Sequence, residues 1–197
     1  MLKIGLTGGI GSGKSEVSKF LQNWGAYIFD ADKEAKIIIN NNHDAQKEII
    51  KEFGNDVLDP NQNISNQKLA RIAFQDEFHQ LALNSIIHPY IFKKIDRSFE
   101  KINFNDNHNC FVLDAALIYE SGADTHMDYV VLVTSLMKYR TERVMSRNNI
   151  TRDDFLKRNS LQWTDENKKN MTDYIIQNNS DLKSLEKETK KIFDSIL

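Results

Sequence analysis

A single cysteine, Cys110, stands among 197 residues, which excludes an intrachain disulfide and any cysteine-built zinc cluster. Proline occurs only twice, too seldom for a proline-rich linker or a string of modules. The histidines His43, His79, His88, His108 and His126 never fall at an HxxxH spacing. No apolar run approaches the roughly 20 residues that cross a bilayer. The start, Met1-Leu2-Lys3, leads into glycine-broken sequence and not into a signal-peptide core, so the expected location is the cytoplasm. An excess of charge is missing too: 26 basic residues face 28 acidic ones, a net charge of −2. That excludes a globally basic nucleic-acid binder and leaves room for a local basic patch.

What the chain does have is 40% hydrophobic and 27% charged residues, enough for a sizeable core and one domain with or without insertions. Ile4-Gly5-Leu6 reads as a buried strand. A glycine-rich turn follows, then a helix over 15–24 in which Val17, Phe20, Leu21 and Trp24 recur at helical spacing and Gly25 supplies the stop. Residues 26–29 form a second strand ending at Asp30. Strand, turn, helix and strand within about 30 residues have the proportions of a βαβ unit. From 31 to 101 strand signals give way to helical faces, and Pro89 is expected to kink or restart a long helix over 76–101. The asparagine-rich stretch 103–109 reads as a loop. Residues 110–114 and 129–133 read as buried strands, 138–157 as one basic helix and 174–176 as a last strand, with Ser180 capping a terminal helix. The alternation predicts an α/β fold with a mostly helical insertion between the second and third strands.

One motif carries chemistry on its own. Gly8-Gly9-Ile10-Gly11-Ser12-Gly13-Lys14-Ser15 satisfies GxxxxGK[ST], the phosphate-binding P-loop pattern. Its glycines allow successive backbone N–H groups to turn inward around an anion, and the following helix adds its positive end. Lys14 supplies a cation near the β- and γ-phosphates of a nucleotide, and the Ser15 hydroxyl can ligate Mg²⁺. A dinucleotide-type GxGxxG reading fails, because Glu16 occupies its last position.

Asp30 and Asp32 leave the carboxyl end of the second strand, where open α/β sheets bind ligands. A carboxylate there can take the proton of an incoming hydroxyl during phosphoryl transfer; the competing role is a helix cap. Asp114, ending the third strand, can hold magnesium through water or simply end a strand. Arg140, Arg143 and Arg147, spaced i, i+3 and i+7, share one helix face and read as a lid closing over the γ-phosphate. A GTPase switch would need DxxG and NKxD. No aspartate stands three residues before a glycine, and Asn167-Lys168-Lys169 is followed by Asn170.

Taken in order, these segments resemble the dephospho-coenzyme A kinase family over nearly the whole chain. The resemblance rests on the loop from Leu6 to Ser15, Asp30-Ala31-Asp32, His88-Pro89, the segment Asp114 to Glu120, Arg143 to Arg147, Gln162, and Ile176-Gln177-Asn178. It implies a P-loop kinase fold in one domain: a parallel-sheet core (about 1–30, 104–137 and 171–197), a helical substrate-binding insertion (about 31–103) and a small helical lid (about 138–170). It implies ATP and Mg²⁺, with dephospho-CoA phosphorylated on its ribose 3′-hydroxyl as the last step of coenzyme A synthesis. Asp32 then matches the catalytic base, assisted by Lys14 and the lid residue Arg147. Gly9, Gly11, Ser12, Gly13, Lys14, Ser15, Glu16, Arg143 and Asn178 fall to the nucleotide, with Asn178 near adenine and the Glu16 N–H at the α-phosphate. Asp32, Lys36, His88 and Arg147 fall to the acceptor. Four departures stand out: Ala116 for a usual proline, Lys36 for a frequent arginine, Glu16 for a common threonine and Gln177 for a usual aspartate. Lys36 in particular lacks the bidentate fork of arginine. The expected partner is this small molecule, with neither nucleic acid nor membrane; monomer and small homo-oligomer both stand. The alternatives are another nucleoside or nucleotide kinase on the same core, or a nucleotide-binding switch.

Overall fold

Five apolar runs assemble into a single parallel sheet: β1 (Leu2–Thr7), β2 (Tyr27–Asp30), β3 (Cys110–Asp114), β4 (Tyr129–Thr134) and β5 (Tyr174–Gln177). Their order across the sheet is β2-β3-β1-β4-β5. Every neighbouring pair is parallel, so helices cover both faces and the central strands carry no polar alternation. All five residues of β3 are buried. In this computed structural model residues 1–105, 107–146 and 151–197 are described. The chain divides into two compact units, Met1–Asp30 with Ser98–Leu197, and Ala31–Arg97.

In the first unit α1 (Lys14–Asn23) and α9 (Leu182–Ile196) lie together. Val17 and Leu21 from α1, and Leu185, Phe193 and Ile196 from α9, join Ile4, Leu6, Val112, Val131 and Ile176 of the sheet in one buried cluster. Burying each large apolar side chain contributes about 1.5–3 kcal/mol. The cap of α9 is Asp181, whose carboxylate accepts the Ser184 N–H at 2.8 Å; the expected cap, Ser180, lies one residue too early. The basic stretch 138–157 is not one helix either. It supplies α6 (Met137–Ser146) and α7 (Arg152–Ser160), the second opened by the Thr151 hydroxyl on the Asp154 N–H with Asp153 and Asp154 in its first turn. These are the marks of a fresh helix start. The short α8 (Asp165–Lys169) follows, capped by Thr164.

The second unit begins with α2 (Ala31–Asn41), α3 (His43–Phe53) and α4 (Asn66–Ala73). Asn42 caps α3, and Ser65 caps α4. Then α5 (Glu77–Asn105), whose residues from Ser98 on count to the first unit, runs through Pro89 without a break. Proline removes one helix hydrogen bond, but Leu83, Ile87, Ile91 and Ile95 are buried at i, i+4, i+8 and i+12 on both sides of it. That stripe holds the helix where local propensity alone would end it. The helix also takes the first part of the asparagine-rich stretch expected to be loop. No helix among the described residues is long and apolar enough to cross a membrane.

Cys110 sits fully buried in β3, and burial pushes its thiol up to about 12 from an ordinary 9.0. Between those values the unfolded chain holds fewer protons than the fold. Stability therefore falls as pH rises through that window, by at most about 1.4 kcal/mol per pH unit from this group. Cys110→Ala is expected to remove that part of the slope, as checked by urea unfolding of both proteins from about pH 8 to about pH 10.5. The native thiol should stay inert to a disulfide reagent until the chain is denatured.

Candidate active site

The loop between β1 and α1 leaves the central strand at the carboxyl edge of the sheet, where the strand order turns back. The Ser12 N–H donates to the Gly9 carbonyl at 3.0 Å, closing a four-residue turn. Gly11 is its third residue at φ 80°, the signature of a type II turn. Gly13 follows at φ 100° and caps α1. A Cβ at Gly13 would strike the Asn178 side-chain amide.

Side chains from outside hold the loop carbonyls. Arg140 Nε donates to the Ile10 carbonyl at 2.8 Å, and Asn178 Nδ2 donates to that of Ser12 at 2.8 Å. Arg143 Nη1 reaches the Gly11 and Ser12 carbonyls at 3.4 Å each. A trans peptide points its oxygen and its hydrogen opposite ways, so the N–H groups of Gly11 and Gly13 turn inward. Like those of Lys14 and Ser15 at the start of α1, they have no hydrogen-bond partner among the described residues. Unspent donors gathered at a helix N-terminus make an anion cradle. Ser12 adds a buried hydroxyl, also without a partner among the described residues. The loop is shaped for the phosphates of a nucleotide.

Beside it stands a buried acid. Asp114 ends β3 in register with Leu6 of β1 and Asp30 of β2. Its two oxygens accept from Lys14 Nζ and Ser18 Oγ, which lie four residues apart on one face of α1. The turn after Asp114 is pinned in its own way. Lys168, fully buried, donates to the Ala116 carbonyl at 2.8 Å and pairs with Glu120 at 2.9 Å. Glu120 also accepts the Trp163 N–H at 2.9 Å. A fully buried ammonium with one acid removed is destabilising by several kcal/mol, so this pair fixes α8 to the turn. Neither Lys168 nor Ser18 carries a sequence signal; Glu120 stands within the segment that resembles the kinase family.

Residues 2–184 match the family model described as dephospho-CoA kinase. The chain belongs to the dephospho-CoA kinase family. It is 37% identical to a dephospho-CoA kinase of Fusobacterium nucleatum over 193 residues, covering 98% of this chain and 97% of that protein. A crystal structure from Thermus thermophilus superposes with a TM-score of 0.82 at 26% identity, covering 100% of this chain and 98% of that one. A dephospho-CoA kinase from Campylobacter jejuni shares the fold at a TM-score of 0.68 and 24% identity, covering 98% of this chain and 96% of that one.

Within this kinase-family fold the first unit brings together the phosphate loop, Asp114, Arg143 and Asn178. Two of the groups expected at the nucleotide have partners within the protein. Asn178, expected near adenine, spends its side chain on the loop, donating to Ser12 and accepting from Arg143 Nη2 at 3.1 Å. The Glu16 N–H, expected at the α-phosphate, donates to the Gly13 carbonyl at 3.0 Å, where left-handed Gly13 tightens the first turn of α1. The Glu16 carboxylate pairs with Lys19 at 2.9 Å. Arg140 was expected to share a phosphate-facing stripe; it is buried on the loop instead, and burial lowers its pKa against the opposing pull of Asp165. Arg147 lies outside the described residues. Asp32 and Lys36 belong to the second unit, both exposed and one turn apart on α2. His88 lies on α5 against the Phe92 ring, and burial lowers its pKa.

Gly13→Ala is expected to lose ADP binding and to destabilise by more than the roughly 1–2 kcal/mol of a left-handed alanine. Gly122 has φ 73° with nothing within 4 Å of an added Cβ, so Gly122→Ala should lose only that backbone contribution and keep ADP affinity. Urea unfolding and calorimetric titration with ADP separate the two.

Proposed function

We propose that this chain transfers the γ-phosphoryl group of ATP to the ribose 3′-hydroxyl of dephospho-CoA, giving coenzyme A and ADP. The observation that carries the reading is the amide-lined loop with Lys14 and Asp114 beside it, in a chain whose family is dephospho-CoA kinase. The cradle and the α1 N-terminus bind the polyphosphate; Lys14 exchanges its Asp114 partner for the transferring group as negative charge spreads over it.

Asp32 is the general base in this reading. The 3′-oxygen attacks the γ-phosphorus, the bond to the ADP oxygen breaks, and the hydroxyl proton passes to the Asp32 carboxylate. Lys36, on the same face of α2, and His88 belong to acceptor binding. Residues about 31–103 then form the acceptor-binding insertion and about 138–170 the lid, with Arg147 the lid arginine assigned to the transferring phosphate. The oxygen donors Ser15 and Asp114 suit a hard cation. They would hold Mg²⁺, which when bound neutralises charge on the β- and γ-phosphates. Among the described residues no group of three or more His, Cys, Asp or Glu could hold a metal ion, so the remaining ligands fall to the nucleotide and water. The reading places the reaction in the cytoplasm.

Purified protein with Mg²⁺-ATP should consume dephospho-CoA and leave a panel of nucleosides and nucleotides untouched. Consumption of the panel without dephospho-CoA would overturn the reading. Asp32→Asn should lower kcat by about 10²–10⁴, the range of a lost general base, with the KM for ATP nearly unchanged. Full turnover by that variant would leave Asp32 a helix-terminal acid and no more.

A further inference from the structure

Ile10 is gripped on both of its peptide groups by side chains distant in sequence. Its N–H donates to Gln162 Oε1 at 3.1 Å, and its carbonyl accepts from Arg140 Nε at 2.8 Å. The same guanidinium donates through Nη2 to Asn159 Oδ1 at 2.6 Å, at the end of α7, and faces Asp165 Oδ1 at 3.7 Å, at the start of α8. Asp165 in turn accepts from the Thr134 hydroxyl at 2.5 Å, at the end of β4. Arg140 is only 5% exposed, and its side chain fills the space that a Cβ on Gly9 would need. One planar fork thus joins the phosphate loop to α7 and α8.

The bond on Ile10 matters because of where it falls. The Ile10–Gly11 peptide is the middle peptide of the turn closed from Ser12 to Gly9. With glycine at the third position that peptide can adopt either of two orientations, related by a flip. In one, the Gly11 N–H faces the cradle. In the other a carbonyl oxygen faces it, repelling the anion that the amide would bind. A cation seated outside the loop selects the first.

We propose that Arg140 is a positioning residue for phosphoryl transfer: by holding the Ile10 carbonyl outward it aims the Gly11 amide at the bound phosphates, and through Asn159 and Asp165 it makes that aim depend on α7 and α8. The proposal rests on the nucleotide-binding reading of the loop.

The test follows the Gly11 amide by two-dimensional NMR during titration with Mg²⁺-ADP, alongside calorimetric affinities, for the wild type, Arg140→Gln, Arg140→Lys and Asn159→Ala. In the wild type the Gly11 resonance should move strongly downfield on binding. Arg140→Gln should lose that displacement, keep that of Gly13, and bind ADP about tenfold or more weakly, as for one charge-assisted hydrogen bond. Arg140→Lys should recover part of both. Asn159→Ala, which leaves the loop bond in place and only frees the fork, should show a smaller loss in the same direction and keeps the test alive if Arg140→Gln does not fold. In turnover the KM for ATP rises and that for dephospho-CoA stays. Folded Arg140 variants that keep the Gly11 displacement, whether or not they are less stable, overturn the positioning role. A wild type that takes up no ADP overturns the nucleotide reading beneath it.

Discussion

A peptide plane cannot present its oxygen and its hydrogen to the same side, and most of the first unit can be understood from that constraint. To offer amides to an anion, the phosphate loop must turn carbonyls the other way, and buried carbonyls need donors. Arg140, Arg143 and Asn178 supply them. Those three come from α6 and the end of β5, which are brought to the loop by the parallel pairing of β1, β4 and β5. The cradle is therefore a product of the sheet order as much as of the glycines.

The second constraint is the cost of burying charge. Asp114 lies beside the loop, and its place at the end of an all-buried strand leaves it little water. Lys14 and Ser18 meet that cost within one turn of one helix. The Lys168–Glu120 pair solves the same problem farther along the chain, and it does so with the turn that carries Asp114 as its third member.

The strands were legible because a strand buried on both faces is an unbroken apolar run; β3 matches its expected span, and β1, β4 and β5 extend theirs by one to three residues. The loop was legible because its chemistry dictates spacing. The split of 138–157 at Thr151 and the Asp181 cap carry local signals; the other features that failed to show depended on packing or on contacts distant in sequence. Pro89 signals a break that a buried isoleucine stripe overrides. Arg140 looks like its neighbours Arg143 and Arg147 on a helical wheel, and only the fold decides that it ends on Ile10. Lys168 sits in a run of polar residues that reads as surface, yet it is wholly buried. Side chains whose role is to satisfy a carbonyl elsewhere leave no periodic trace.

The same logic explains why the departure at Ala116 is tolerable. A proline there would fix one backbone angle and add no donor. The turn in this chain is instead defined by what its carbonyl receives: Thr7 Oγ1 at 3.2 Å from the end of β1 and Lys168 Nζ at 2.8 Å from α8. These two donors come from different elements, and the Ala115 N–H donating to the Leu6 carbonyl at 3.1 Å extends the strand register into the turn. Both donors reach a carbonyl that alanine and proline share, so the turn after Asp114 keeps these two bonds without the ring.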